Sequence, residues 1–517
     1  MAYVAILLLL IIVLALGFTF LLKASTEASA TLSHIEGIQA EYLAEAAANK
    51  AVWRLLYDPT IPTYADAVTA DTYEMSNLSA GRYGYNFRPH TTTTFATVRA
   101  VGVAGDAVVR EGWVLNLKYL PFAGILAAYS VNGTNIPKAR SFEDPSFGNA
   151  ADTLNVGSST HWLQLAGSMN KTEVVMATLD DGSDINVAVY DGATWGNNWE
   201  FTTSADRAHL GVDVAYESLS SDAMVAGRHS TGNDPYYSTW NGTSWSARTA
   251  ISNPYGSGDV RTVVLASNPL SDELILGMLT SGNDLVTFIW SGSAWTNTYY
   301  VSASISVTQY HPFDICYEQT SGEALATYGV SSNDWIYANL GGTGTIRTLG
   351  NDAQIVRQAS DPSSDYIIAA AVDQDNDLSV AVWNGSSWVY AAEIETNMKA
   401  STSFTVAVAW ESSGDEALIF YGENGVNNLR YRRWTKSTGT PGSEQTGPST
   451  GQNIESIQAL TIPEEDRIIV LTGDTNDDCE FNLWEGDAFS ADPPLTFTNS
   501  LYNTPRQSFD LAATVQY

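Results

Sequence analysis

WSGSAW, Trp290 to Trp295, is one of three near-copies of a single phrase: WNGTSW runs from Trp240 to Trp245 and WNGSSW from Trp383 to Trp388. The first aromatic of the phrase recurs as Tyr190, Trp240, Trp290, Trp383, Trp434 and Trp484, at steps of 50, 50, 93, 51 and 50 residues. The double step hides a degenerate copy around Asn339 to Gly342. A second ruler agrees: Asp184, Asp234, Asp284, Asp334, Asp377, Asn428 and Asp478 each precede a strand-like run, spaced 50, 50, 50, 43, 51 and 50. Such a period is the signature of a repeat architecture.

Each unit reads as four short strands. An alternating opener such as VDVAYES or FDICYEQ is followed by runs like EALATYGV and NDLVTFIW, and then by the strand after the W-phrase. Alternation with period two, bounded by Gly, Asn, Asp and Ser, is the strand and hairpin signal. Four strands in about fifty residues is the size of one β-propeller blade. The spacing therefore predicts a β-propeller over 161–517 with seven blades, an eighth being allowed. The C-terminal SFDLAATVQY, Ser508 to Tyr517, matches one more opening strand. It has three candidate partners: the first blade, in a closing of the ring, which is the expectation preferred here; the sheet formed upstream; or residues around Gly124 to Ile136, as an eighth blade.

The W-phrase itself reads first as architecture. Asn-Gly between aromatic-flanked runs is a hairpin turn, because Asn and Gly tolerate positive φ and the flanking rings can pack across the hairpin. The second reading is a row of exposed rings, Trp195, Trp245, Trp295 and Trp388, that stack on sugars.

The 57 acidic and 24 basic residues leave a net charge of −33, which disfavours nucleic-acid binding and suits a solubility surface. The six histidines show no paired metal spacing, so no zinc site is expected. Asp373, Asp375 and Asp377 form a DxDxD triplet that reads first as a solvated turn and second as a weak calcium candidate, since it lacks the Gly and distal Glu of an EF-hand loop. No nucleophile elbow or P-loop pattern occurs, no cofactor is expected, and the chain is read as a non-enzyme. Cys316 and Cys479 are read as buried free thiols.

The N-terminus is of another kind. MAYVAILLLLIIVLALGFTFLL is 22 residues without a charge, long enough to cross a bilayer core of about 30 Å. The following residues to about Tyr57 are dense in helix formers, with Ile35, Ile38, Tyr42, Ala46, Trp53 and Leu56 on one stripe. A single helix over 1–57, about 85 Å long, is predicted.

The uncharged run and the phrase AEYLAEAAANKAVWRLL, Ala40 to Leu56, resemble the N-terminal region of type IV pilins, and of minor pilins and pseudopilins of the PilX type in particular. The resemblance covers roughly residues 1–135. It implies an α+β pilin module, with a long helix over 1–57 and a small antiparallel sheet over 58–120, joined by a connector over 121–160 to the propeller. It further implies a filament subunit whose helix face, with Met1, Ala5, Leu8, Ile12, Leu16 and Phe20, packs against copies of itself. The assembly machinery and the inner membrane would be its partners before assembly, and the location would be extracellular, with the propeller displayed for adhesion or glycan binding. Ala5 departs from the pattern, because major pilins carry Glu at the fifth position. That departure keeps open a tip-located minor pilin or pseudopilin adhesin. A surface-tethered glycosidase is the alternative from another class.

Overall fold

The computed structural model describes residues 40, 42–44, 47, 74–78, 81–89, 95–104, 107–116 and 124–514, apart from 230, 256, 306–310, 340–341, 401–402, 464, 492 and 503–505. The chain divides into two compact units, Met1–Leu120 with Tyr517, and Pro121–Gln516. In the first, Glu74–Leu78, Gly81–Pro89, Phe95–Ala104 and Ala107–Asn116 form a four-stranded antiparallel sheet in sequence order.

The second unit is a β-propeller. Seven sheets of four strands follow one another, and we number them as blades 1 to 7: 160–202, 212–250, 260–302, 313–348, 353–395, 406–449 and 454–498. Blade 8 is assembled from both ends of the unit: Phe509–Thr514 pairs antiparallel with Gly124–Tyr129, which pairs with Lys138–Glu143, which in turn pairs with Ser146–Phe147 and with Ala151–Asp152. One sheet thus ties the last strand to the first and closes the ring of blades.

These observations correct two expectations. The architecture is an eight-bladed propeller rather than seven blades, and the C-terminal strand joins the residues around Gly124 instead of closing against blade 1. Residues 121–160 supply the other strands of that eighth sheet. An α+β pilin module is also not what the described residues form: they are nearly all β, and helical positions are confined to Ala40, Tyr42, Leu43, Ala44 and Ala47. Among the described residues no helix is long and apolar enough to cross a membrane. Met1, Ala5, Leu8, Ile12, Leu16 and Phe20 lie outside the described residues.

The W-phrases form the hairpins between the third and fourth strands. Asn241 Oδ1 accepts from the N–H groups of Thr243 (3.0 Å) and Ser244 (2.9 Å), and Asn384 Oδ1 accepts in the same way from Ser386 (3.0 Å) and Ser387 (2.9 Å). The glycine of the phrase sits at positive φ, +86° at Gly292 and +88° at Gly385. A Cβ there would also lie 2.8 Å from Cβ of Asp272 or 2.9 Å from Cβ of Asp365, so only glycine fits.

The ring repeats in blade pairs. Odd blades 1, 3, 5 and 7 open on eight-residue strands, Thr160–Gly167, Val260–Ser267, Ala353–Ser360 and Ile454–Thr461, while even blades 2, 4 and 6 open on five, Val212–Tyr216, Phe313–Tyr317 and Val406–Trp410. In blades 2, 4 and 8 this inner strand carries an aspartate whose Oδ2 accepts a backbone N–H of the next odd blade: Asp213 from Leu265 (2.7 Å), Asp314 from Gln358 (2.8 Å) and Asp510 from Leu165 (2.8 Å). Blade 6 has Ala407 at this place. The axis is filled by rings: Trp162 of blade 1 meets Phe404 edge to face at 5.5 Å, and the Arg357 guanidinium lies 4.8 Å over Phe404.

Burial raises the carboxyls of these three aspartates, to about 8 at Asp213, about 6 at Asp314 and about 7 at Asp510. The Arg357 charge pulls Asp314 and Asp510 back down, whereas at Asp213 the other two aspartates add to the rise. A carboxyl with a raised folded-state value binds its proton more tightly when folded. Its contribution is therefore whole below the ordinary carboxylate range and is lost as pH climbs through the folded value. Denaturant unfolding is expected to show stability falling between roughly pH 4 and 8, from the ordinary carboxylate value up to the folded values, and Asp213→Asn is expected to flatten that slope.

Candidate functional site

Neighbouring blades are joined by the first indole of the W-phrase. Trp240 Nε1 of blade 2 donates to Glu173 Oε1 of blade 1 at 2.9 Å, and the Tyr216 hydroxyl donates to the same oxygen at 2.9 Å. Trp290 of blade 3 reaches Glu217 (2.6 Å), Trp383 of blade 5 reaches Glu318 (2.6 Å) and Trp484 of blade 7 reaches Glu411 (2.8 Å). Each indole fills the groove between two sheets and satisfies a carboxylate that burial would otherwise penalise. Burial raises Glu217, Glu318 and Glu411, the last to about 7. Between blades 5 and 6 the device is different: Lys436 Nζ pairs at 2.6 Å with Asp361, which is wholly buried.

Between blades 3 and 4 the indole is missing. Fifty residues beyond Trp290 the chain has Leu340, in the glycine-rich LGGTGT, a position outside the described residues. Glu273, one hundred residues beyond Glu173, takes the hydroxyl of Tyr317 at 3.0 Å, as Glu173 takes that of Tyr216, but has no Trp in the place of Trp240. The positions of Leu274, Leu276 and Phe288 in blade 3 are held in blade 4 by Ala324, Ala326 and Ala338. Blade 5 also has alanines, Ala369 and Ala381, but there they are buried in a cluster with Trp335 against which Trp388 packs.

The result is a cleft of about 540 Å³. On the blade 3 side it is lined by Glu273, Ile275, Thr287, Ile289, Asn297, Tyr299 and Tyr300, and on the blade 4 side by Ala324, Ala326, Ala338, Asn339 and Thr343. Tyr299 and Tyr300 are 46% and 44% exposed, among the most open large apolar side chains of the described residues. The Tyr300 hydroxyl donates to Asp284 Oδ1 at 2.7 Å, which fixes its ring. The volume falls in the range of small-ligand sites, and the lining has their composition: apolar floor, aromatic wall and a few polar groups. One carboxylate with amides and hydroxyls beside open tyrosine rings suits a polyhydroxylated ligand with an apolar face.

The stacking candidates Trp195, Trp245, Trp295 and Trp388 sit in blades 1, 2, 3 and 5 as the second rings of their hairpins, each half-buried. Trp195 packs on Tyr190 (5.4 Å), Trp245 on Trp240 (5.6 Å) and Trp199 (6.3 Å), Trp295 on Trp290 (5.4 Å) and Tyr237 (5.4 Å), and Trp388 on Trp383 (5.5 Å) and Tyr337 (5.7 Å). The hairpin packing is thus formed, and the four rings are not brought together. In the DxDxD turn, Asp373 Oδ1 accepts from Asp375 N (3.0 Å) and Asp377 N (3.1 Å), and its Oδ2 accepts from Asn351 N (3.3 Å). Glu395, Glu423 and Glu444 bring carboxylate oxygens within 4.8 Å of one another, with Arg430 already donating to Glu423 at 2.9 Å. Cys316 and Cys479 are free thiols, pushed up strongly by burial.

No protein-family model and no curated protein matches the chain. Solved propellers are similar to it. BP39L lectin from Burkholderia pseudomallei is 11% identical, covers 66% of this chain and 100% of its own, and gives a TM-score of 0.49. SapL1 lectin, solved with alpha methyl fucoside, is 13% identical over 66% of this chain and 97% of its own, at a TM-score of 0.36. The six-bladed fungal lectin of Aleuria aurantia, described with a fucose recognition mode, is 13% identical over 62% of this chain and 96% of its own, at 0.31.

Proposed function

We propose that the propeller is a non-catalytic binding module that takes a glycan in the cleft between blades 3 and 4. One observation carries this reading: the indole that closes the groove between neighbouring blades at four other places is absent here, and the opening is walled by Tyr299 and Tyr300 with Glu273 below. Hydrolysis of a glycosidic bond by the common route needs two carboxyl groups flanking it, and Glu273 is the one carboxylate among the residues lining the cleft. Binding is therefore the favoured role. A glycan array probed with the full chain tests it: binding to a defined set of sugars is expected, and it is expected to be lost in Tyr299→Ala. A chain that binds no glycan would end the proposal.

The same reading places the propeller outside the cell, on a type IV pilus-like filament built from copies of this chain after passage through the inner membrane. The support for this half lies in the sequence: the uncharged run Met1 to Leu22, the pilin-like phrase Ala40 to Leu56, and an acidic surface suited to display rather than to nucleic acid. Immunogold microscopy of intact cells with antibody to the propeller is expected to label filaments along their length. Label at tips alone would favour the minor-adhesin form, and label on the cell body without filaments would contradict both.

A further inference from the structure

Blade 7 turns one face of its sheet toward blade 6, where Ile457, Val470 and Trp484 pack with Leu418, Phe420 and Leu429. Register and strand alternation put four polar residues on that same face, because Val470 pairs with Asn482, Thr472 pairs with Glu480, and Asp474 follows Thr472 by two. Each of them carries a buried atom with no hydrogen-bond partner among the described residues: Thr472 Oγ1, Asp474 Oδ2, Glu480 Oε2 and Asn482 Nδ2. Thr472 and Asp474 are each 1% exposed. Buried polar groups in folded proteins are nearly always satisfied, so four on one face point to something bound between them.

Comparison with the sister blades sharpens this. The places of Thr472, Glu480 and Asn482 are held by Met278, Val286 and Phe288 in blade 3 and by Ala371, Ser379 and Ala381 in blade 5. In blade 1, Asn186 Nδ2 donates to the Val156 carbonyl at 2.7 Å. At these four places of the odd blades, blade 1 shares only the orphaned aspartate oxygen, Asp180 Oδ2, whereas blade 7 adds unsatisfied groups on Thr472, Glu480 and Asn482, a costly combination without a ligand. The aspartate is not consumed by its own turn either: Asp474 Oδ1 takes the N–H groups of Asn476 (2.9 Å) and Asp478 (3.2 Å), and Oδ2 is left over.

The leftover oxygens fix the sign of the ligand. Two carboxylates side by side in a low-dielectric site call for positive charge, and one divalent cation neutralises both. Carboxylate oxygens and a hydroxyl are the donors that hard cations of the Ca²⁺ type take, and the Asn482 amide can add an oxygen when its two ends are exchanged. The geometry points to a Ca²⁺ site between blades 7 and 6, held by Asp474, Glu480 and Thr472, with Asn482 completing the shell. It would pin two sheets together where blade 7 has given up apolar contact. The DxDxD turn of blade 5 differs from the equivalent turn of blade 7 in that both Asp373 oxygens accept backbone N–H groups.

The full chain, stripped with chelator, is the material for the test. Added Ca²⁺ is expected to raise the melting temperature by several degrees, and Tb³⁺ is expected to luminesce through Trp484 and to be displaced by Ca²⁺. Asp474→Asn and Glu480→Gln are each expected to weaken Tb³⁺ binding at least roughly 10-fold, while Asp375→Asn leaves it unchanged. Thr472→Val, which matches the apolar character of the sister blades and so keeps the fold, is expected to weaken it as well. No melting shift with Ca²⁺ or Mg²⁺ and no Tb³⁺ emission from the wild type would overturn the site, leaving a proton on Glu480 as the neutralising charge. A shift that survives both Asp474→Asn and Glu480→Gln would overturn it too, by placing the ion elsewhere.

Discussion

Trp484→Ala is expected to destabilise the propeller by about 4 to 8 kcal/mol, measured by denaturant unfolding. Removing a fully buried indole costs about 3 to 5 kcal/mol through lost burial and the space left behind. It also strands the Glu411 carboxylate, which loses its 2.8 Å donor inside the groove and adds roughly 1 to 3 kcal/mol. Trp484→Phe separates the two contributions. A ring remains between the sheets while the N–H is gone, so the loss is expected to fall to about 1 to 3 kcal/mol. The phenylalanine variant should also grow less stable as pH rises through 7, because burial already holds Glu411 at about 7 and removing the donor lifts it further. A Trp484→Ala loss below about 1 kcal/mol would mean that the indoles decorate the ring and do not join it.

The second large effect concerns the cleft. Ala338→Trp fills the cleft from the blade 4 side, at the place that Phe288 holds in blade 3, facing a lining that includes Ile275 and Ile289 of blade 3. Glycan binding is expected to disappear, while the melting temperature holds or rises, since apolar surface is covered rather than exposed. Tyr299→Ala and Tyr300→Ala should each weaken binding by roughly 10-fold or more without moving the melting temperature, because aromatic anchors carry most of the energy of such sites and these two rings are nearly half exposed. Surface plasmon resonance on the best array glycan reads both effects. Full binding by Ala338→Trp would remove the cleft from consideration.

How far these features were legible depends on their range along the chain. The blades were legible because each is a local unit: the W-phrase fixes a hairpin within six residues, and its fifty-residue recurrence fixes the sheet around it. Blade 8 escaped because its pairing joins Phe509–Thr514 to Gly124–Tyr129, at opposite ends of the propeller sequence, and its outer strands, as short as Ser146–Phe147, carry no W-phrase. The alternation of blade pairs was visible in part. The opening strands that carry Asp314 and Asp510, FDICYEQ and SFDLAATVQY, match in sequence, but the role of the two aspartates in bonding the next blade appears only when the inner strands lie side by side.

The site was half visible in the same way. The degenerate copy near Asn339 was recognised as a defect in the repeat, and the consequence of the defect, an unfilled groove over Glu273, is a property of two blades together. The tryptophans that the sequence does show are mostly occupied with neighbouring rings. The calcium candidate shows a similar limit: DxDxD in blade 5 and DTNDD in blade 7 look alike in sequence, and what separates them is that Thr472, Glu480 and Asn482 stand on the buried face beside the second.

The most direct test of the cleft is an experimental density map of the full chain incubated with its best array glycan. A sugar ring lying against Tyr299 and Tyr300, with a hydroxyl on Glu273, is the expected result. A sugar seated on the hairpin tryptophans Trp195, Trp245, Trp295 or Trp388, with the space between blades 3 and 4 holding none, would contradict it.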